Sequence, residues 1–138
     1  TRTTMIITDI NQIDRIVEDV LGSVRSSIAV DMKDYAFIKE QSSSLKAVKV
    51  EIPEITEKTL MPFDEALADI CNGQECNVLL HISGHGDNFT DMTVEQMQLL
   101  HNSMERNIAE DASIIWGLGE YESGQDRIMI FVIVGYYE

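Results

Sequence analysis

Basic residues are scarce in this chain. Ten Lys and Arg stand against 24 Asp and Glu, for a net charge of −14. Affinity for a phosphate backbone comes from clustered cations, so nucleic acid is excluded as an unassisted partner. The same deficit argues against direct binding to anionic membrane surfaces. Cysteine is nearly absent too. Cys71 and Cys76 form neither a C-x-x-C pair nor a four-ligand metal pattern. Disulfide frameworks belong to small secreted domains, so both read as reduced thiols. No apolar run reaches the length of a bilayer span; the longest, Ile128–Val134, suits a buried strand. A signal-peptide pattern is also missing, which makes the cytoplasm the expected location. The first residue is Thr1 rather than Met, as expected of a processed or excised piece.

What is present is an ordinary globular composition, 44% hydrophobic and 25% charged, in 138 residues. That length fits one domain, or one domain with an attached helix. Folding at this size buries about 68% of the unfolded chain's surface, so no staple is needed. There is no repeat or low-complexity tract, and the SSS at 42–44 is a loop.

Apolar periodicity supplies the elements. Ile10, Ile13, Val17, Val20 and Val24 recur at three- and four-residue steps and predict a helix over 9–24. Asp9 and Gln12 have the spacing of a capping box at its start. A short helix is expected over 31–39. Val48, Val50 and Ile52 alternate with Lys49 and Glu51, which predicts a half-buried strand ending at Pro53. Pro62 suits the first position of a helix running to about Ile70. An apolar strand follows at 77–83, then a Gly84–Asn88 loop. Thr93 and Gln96 form a second capping box, before a helix that carries Val94, Met97, Leu100, Met104 and Ile108 on one side. Strands at 112–118 and 127–136 close the chain as an antiparallel hairpin. The continuous run at 128–134 requires cover on both faces. The expected fold class is therefore α/β (α+β): a two-layer sandwich on a mixed four-stranded sheet, in the order α-α-β-α-β-α-β-β, with the 9–24 helix alongside as a separate element.

This order, with these residues, resembles the C-terminal half of FtsZ, the prokaryotic tubulin homologue and cell-division GTPase. SSIAVDMKDY is similar to the family's catalytic loop, Asn-x-Asp-x-x-Asp after a glycine. FDEALADI is similar to its Ala-rich helix, NVLLHISGHGDNFT to the strand and Gly-rich loop before its penultimate helix, and DASIIWGLG and RIMIFVIVGY to its closing strands. The resemblance covers residues 9–137. It divides the chain into a central-helix and catalytic-loop-like segment, 1–40, and a C-terminal α/β sandwich domain, 41–138. It implies a cytoskeletal protein that self-associates, head to tail or as a dimer. It also implies that Asp31 and Asp34 enter a neighbouring subunit's site, where they polarise the water that attacks the γ-phosphate of GTP. Asp9, by an ungapped count back from Asp31, takes the place of an aspartate that contacts guanine.

The departures matter. Ala29 replaces the Asn, Ser26 stands where a Gly is usual, and Met5 sits at the position of an aromatic. The long Gly-rich phosphate signature is absent; neither Gly84-x-Gly86 nor Gly117-x-Gly119 is followed by a Walker Lys. GTP with Mg²⁺ is thus expected in an intact parent, and no cofactor in this chain alone. The competing reading is a non-catalytic interaction module on the same fold.

Each candidate also has a plainer account. Asp31 and Asp34 share a helix face at i, i+3, where they serve as a cap and a first-turn acid favoured by the helix dipole. Asp9 is fully explained as an N-cap. Ser83, His85 and Asp87 tempt a hydrolase reading, but i, i+2, i+4 residues on a strand stand about 6–7 Å apart, too far for a triad. His81, His85 and Asp87 are weak metal-ligand candidates. Trp116 reads as core within a strand.

Overall fold

The computed structural model describes residues 4–28, 32–71, 76–84, 93–110, 112–121 and 128–136. Their elements, in order, are β1 (Thr4–Ile7), α1 (Ile10–Ser23), β2 (Val24–Ile28), α2 (Met32–Gln41), β3 (Ser44–Ile52), α3 (Glu57–Cys71), β4 (Cys76–Gly84), α4 (Val94–Asn107), β5 (Ser113–Tyr121) and β6 (Ile128–Tyr136). The six strands form one mixed sheet in the order β1-β3-β6-β4-β5-β2. Only β4 and β5 pair in parallel; the other ladders are antiparallel.

β6 sits inside the sheet because all nine of its residues are buried. Its side chains alternate between two separate cores. Ile130, Val132 and Val134 join Val48, Val50, Val78 and Ile82, and pack against Phe63 and Leu67 of α3 and Leu100 and Met104 of α4. Met129, Phe131 and Ile133 point the other way, with Ala47 and Leu79, toward Ile13 and Val17 of α1 and Tyr35 and Ile38 of α2. Each wholly buried Phe or Ile contributes about 1.5–3 kcal/mol over leaving it in water.

Four expectations change. The layers number three, because α1 and α2 cover the second face instead of α1 lying apart. The sheet has six strands, because Thr4–Ile7 and Val24–Ile28 add to its two edges. β5 and β6 do not form a hairpin; β4 lies between them and bonds to both. Finally, α3 begins at Glu57, with Pro62 inside it. Thr56 and Thr59 start that helix instead: the Thr59 N–H donates to Thr56 Oγ1 at 3.0 Å, and the Thr56 N–H donates to Thr59 Oγ1 at 2.8 Å.

The box at Thr93–Gln96 forms in both directions, with Gln96 N–H to Thr93 Oγ1 at 3.1 Å and Thr93 N–H to Gln96 Oε1 at 2.8 Å. On α1 the predicted stripe is narrower than expected. Ile13 and Val17 are wholly buried while Ile10 is exposed. No helix among the described residues is long and apolar enough to cross a membrane.

Candidate functional site

Asp9 lies just before α1, and its own carbonyl accepts the first helical bond, from Ile13 N–H at 3.0 Å. Its carboxylate accepts from Asn11 N–H at 3.0 Å. This is an N-cap made through the second helical residue, not the third, and the side chain stays exposed. The carboxylate can therefore serve both as a cap and as a surface acceptor.

Asp34 stands in the first turn of α2, half-buried. A negative charge there is favoured by the helix dipole by about 0.3–1 kcal/mol. Asp31 and Ala29 lie outside the described residues. Its neighbour Tyr35 anchors this turn of the helix. Tyr35 is buried and its hydroxyl donates to Asp14 Oδ1 on α1. Lys39, one turn on, donates to the same oxygen at 3.0 Å and lies 5.6 Å from the Tyr35 ring centre. The Tyr35 bond and the Lys39 bond hold the Asp14 carboxyl below its ordinary range. Burial and the Asp14 charge push the Tyr35 hydroxyl well up. Near neutral pH Asp14 is thus a carboxylate and Tyr35 a neutral phenol, and with Lys39 they tie α2 to α1. The Tyr35–Lys39 step is visible in the sequence as an i, i+4 pair; the role of Asp14 is not, because the contact is tertiary.

Two of the remaining candidates lie in β4. His81 and Ser83 are wholly buried in β4, on the α1/α2 side of the sheet. Neither ring nitrogen of His81, nor Ser83 Oγ, has a hydrogen-bond partner among the described residues. Burial lowers the His81 pKa from 6.5 to about 4, so the ring is neutral. His85 and Asp87 lie outside the described residues. Among the described residues no three His, Cys, Asp or Glu gather as metal ligands. Trp116 is not core but 43% exposed. The reason is coverage: α4 packs over β4, and β5 lies beyond it. With Ile114, Met97 and Leu80, Trp116 borders an apolar hollow of about 240 Å³.

No family model matches the chain, and no curated protein does. Solved structures do match. An empty FtsZ dimer from M. jannaschii superposes with a TM-score of 0.59 at 18% identity, over 92% of this chain and 40% of that one. TubZ in GDP-form protofilaments, from Bacillus thuringiensis serovar israelensis, gives 0.62 at 11% identity, over 94% and 41%. A four-stranded TubZ-Bt filament gives 0.64 at 14%, over 96% and 42%. The fold is that of FtsZ and TubZ. At these identities the likeness is one of architecture, and the chain spans about two fifths of the length of these FtsZ and TubZ chains.

Proposed function

We propose that this chain is the C-terminal domain, with part of the central helix, of an FtsZ/tubulin-like cytoskeletal GTPase of the cytoplasm. Residues 1–40 are its helix and catalytic-loop segment and 41–138 its sandwich domain. The domain forms one side of a head-to-tail subunit contact. A heterologous contact of this kind builds an open filament. The likeness of fold to FtsZ and TubZ along nearly the whole chain carries this reading.

The described residues do not fit a holder of the triphosphate and its Mg²⁺. They gather no cluster of metal-ligating side chains, and the sequence has no long glycine-rich phosphate loop. In this reading the nucleotide is held by another part of the assembly, and the acids of this chain reach it across the contact. Asp31 and Asp34 orient and polarise the attacking water at the neighbour's γ-phosphate, and Asp9 accepts from a guanine edge. The Tyr35–Asp14–Lys39 cluster sets where the Asp34 turn points. The chain alone binds GTP weakly or not at all and hydrolyses none.

The test is Asp31→Ala in the polypeptide that carries this chain. A positioned acid–base group is worth about 10²- to 10⁴-fold, so assembly-stimulated turnover is expected to fall by that factor while GTP affinity holds. Unchanged turnover per polymerised subunit overturns the proposal. A second reading, a non-catalytic interaction module, is favoured by Ala29 and Ser26 in place of the Asn and Gly of the family loop. In that case the substitution changes nothing because there is no turnover to lose.

A further inference from the structure

Cys71 is the last residue of α3 and Cys76 the first of β4, so the corner between helix and strand carries a thiol on each side. Neither is in a disulfide, and both are wholly buried. Their side chains are close enough to influence each other's titration. The neighbouring strand pins this end of the helix. Cys76 stands opposite Tyr136 in the β4–β6 ladder, and the Tyr136 hydroxyl donates to the carbonyl of Ile70. Tyr136 thus brings the end of α3 beside the start of β4, and the two cysteines lie in one core cluster, within reach of each other. The nearby Cys76 and burial keep the Cys71 thiol protonated, with its pKa pushed far up, first by the Cys76 side chain and then by desolvation. Thiolate is the reactive form, so exchange has to pass through local opening of this corner.

We infer that Cys71 and Cys76 form a dithiol site that closes to an intramolecular disulfide by exchange with a small-molecule disulfide of the glutathione type. One thiolate attacks the glutathione disulfide, giving a protein–glutathione mixed disulfide and releasing one glutathione thiolate. The other protein thiolate then attacks the protein sulfur of that mixed disulfide and releases the second. Two protein thiols are oxidised, one small disulfide is reduced to two thiols, and the two thiol protons pass to solvent or to the leaving thiolates. The fold favours the closed form because it already holds the two cysteines within reach, so bond and fold stabilise each other. The small sequence separation of the two cysteines limits the gain to a rise of about 5 °C in melting temperature.

The experiment equilibrates the chain with reduced and oxidised glutathione, starting from the reduced and from the oxidised protein, in native buffer and in denaturing urea. Alkylation and intact mass then count thiols and adducts. The expected result is a product lighter by two hydrogens, with an equilibrium constant for closure at least tenfold larger in the folded protein than in urea. Cys71→Ala and Cys76→Ala are expected to stop at one glutathionyl adduct. If the folded constant equals or falls below that in urea, or the oxidised protein reverts to thiols on refolding in the same buffer, the inference is wrong. Two glutathionyl groups on the wild-type chain overturn it equally.

Discussion

Protonation of His81 is expected to destabilise the sheet from inside. Its ring lies between Gly117 of β5 and Phe131 of β6 in register, wholly buried, and neither nitrogen has a partner among the described residues. Burial lowers its pKa from 6.5 to about 4. The unfolded chain takes up this proton near 6.5 and the folded chain only near 4. Between those values the unfolded state binds more protons, so stability falls as pH falls. At about 1.4 kcal/mol per pH unit, about 3 kcal/mol is present above the unfolded value and is lost by about pH 4. For a domain with a total stability of about 5–15 kcal/mol that is a large share. The assay is urea unfolding followed by far-ultraviolet circular dichroism across this window, for the wild type and for His81→Leu. The variant keeps an apolar side chain in the slot and removes the titration. Its stability is expected to stay nearly flat where the wild type loses about 3 kcal/mol. Asp14 and Asp64 contribute equally to both proteins and so cancel in the difference. Parallel pH profiles for the two proteins would refute the placement of His81.

Two further substitutions test the helical layers. Asp64 ties α3 to α4 by accepting from Ser103 at 2.8 Å and from Arg106 and Asn107 at 2.9 Å each. Burial raises its pKa, but these bonds together outweigh burial and leave it below the ordinary value. Asp64→Ala is expected to cost about 1–3 kcal/mol near neutral pH by urea titration. The cost should shrink as pH falls through the depressed folded value, where the wild-type carboxylate also loses its charge. Gly135→Ala is expected to cost about 1–3 kcal/mol by the same measurement. Its added Cβ would stand 2.1 Å from Ser42 Oγ, 2.9 Å from Ser42 Cβ and 3.1 Å from Ile38 Cγ2. If Ser42→Gly does not recover part of that loss, the clash is not its cause.

Local signals in the sequence proved the readable ones. The Thr93–Gln96 box starts α4 as expected, and the alternation Val48, Val50, Ile52 marks one face of β3. Ile128–Val134 demanded cover on both sides, and receives it. Non-local pairing was not readable. Val24–Ile28 has no apolar alternation and becomes a strand only because β5 offers it an edge. The short link from β5 to β6 suggested a hairpin, since consecutive strands often pair. Which strand slides between them is decided by packing across the sheet, not by the link. Pro62 misled for a related reason: it suits a first turn, yet the Thr56–Thr59 exchange begins the helix earlier and Pro62 is carried inside. At the site, the capping role of Asp9 and the first-turn place of Asp34 were legible from spacing. The Tyr35–Asp14 contact was not, because its partners lie on different helices.

The most direct test of the central claim is complementation across the subunit contact. The full polypeptide carrying both Asp31→Ala and Asp34→Ala is mixed with GTP, and this 138-residue chain is added in excess. GTP turnover is then measured against the amount of chain added. The account predicts that the wild-type chain restores turnover, and that the same chain bearing both substitutions does not. Failure of the wild-type chain to restore any turnover while it binds the variant, or equal restoration by the substituted chain, would contradict it.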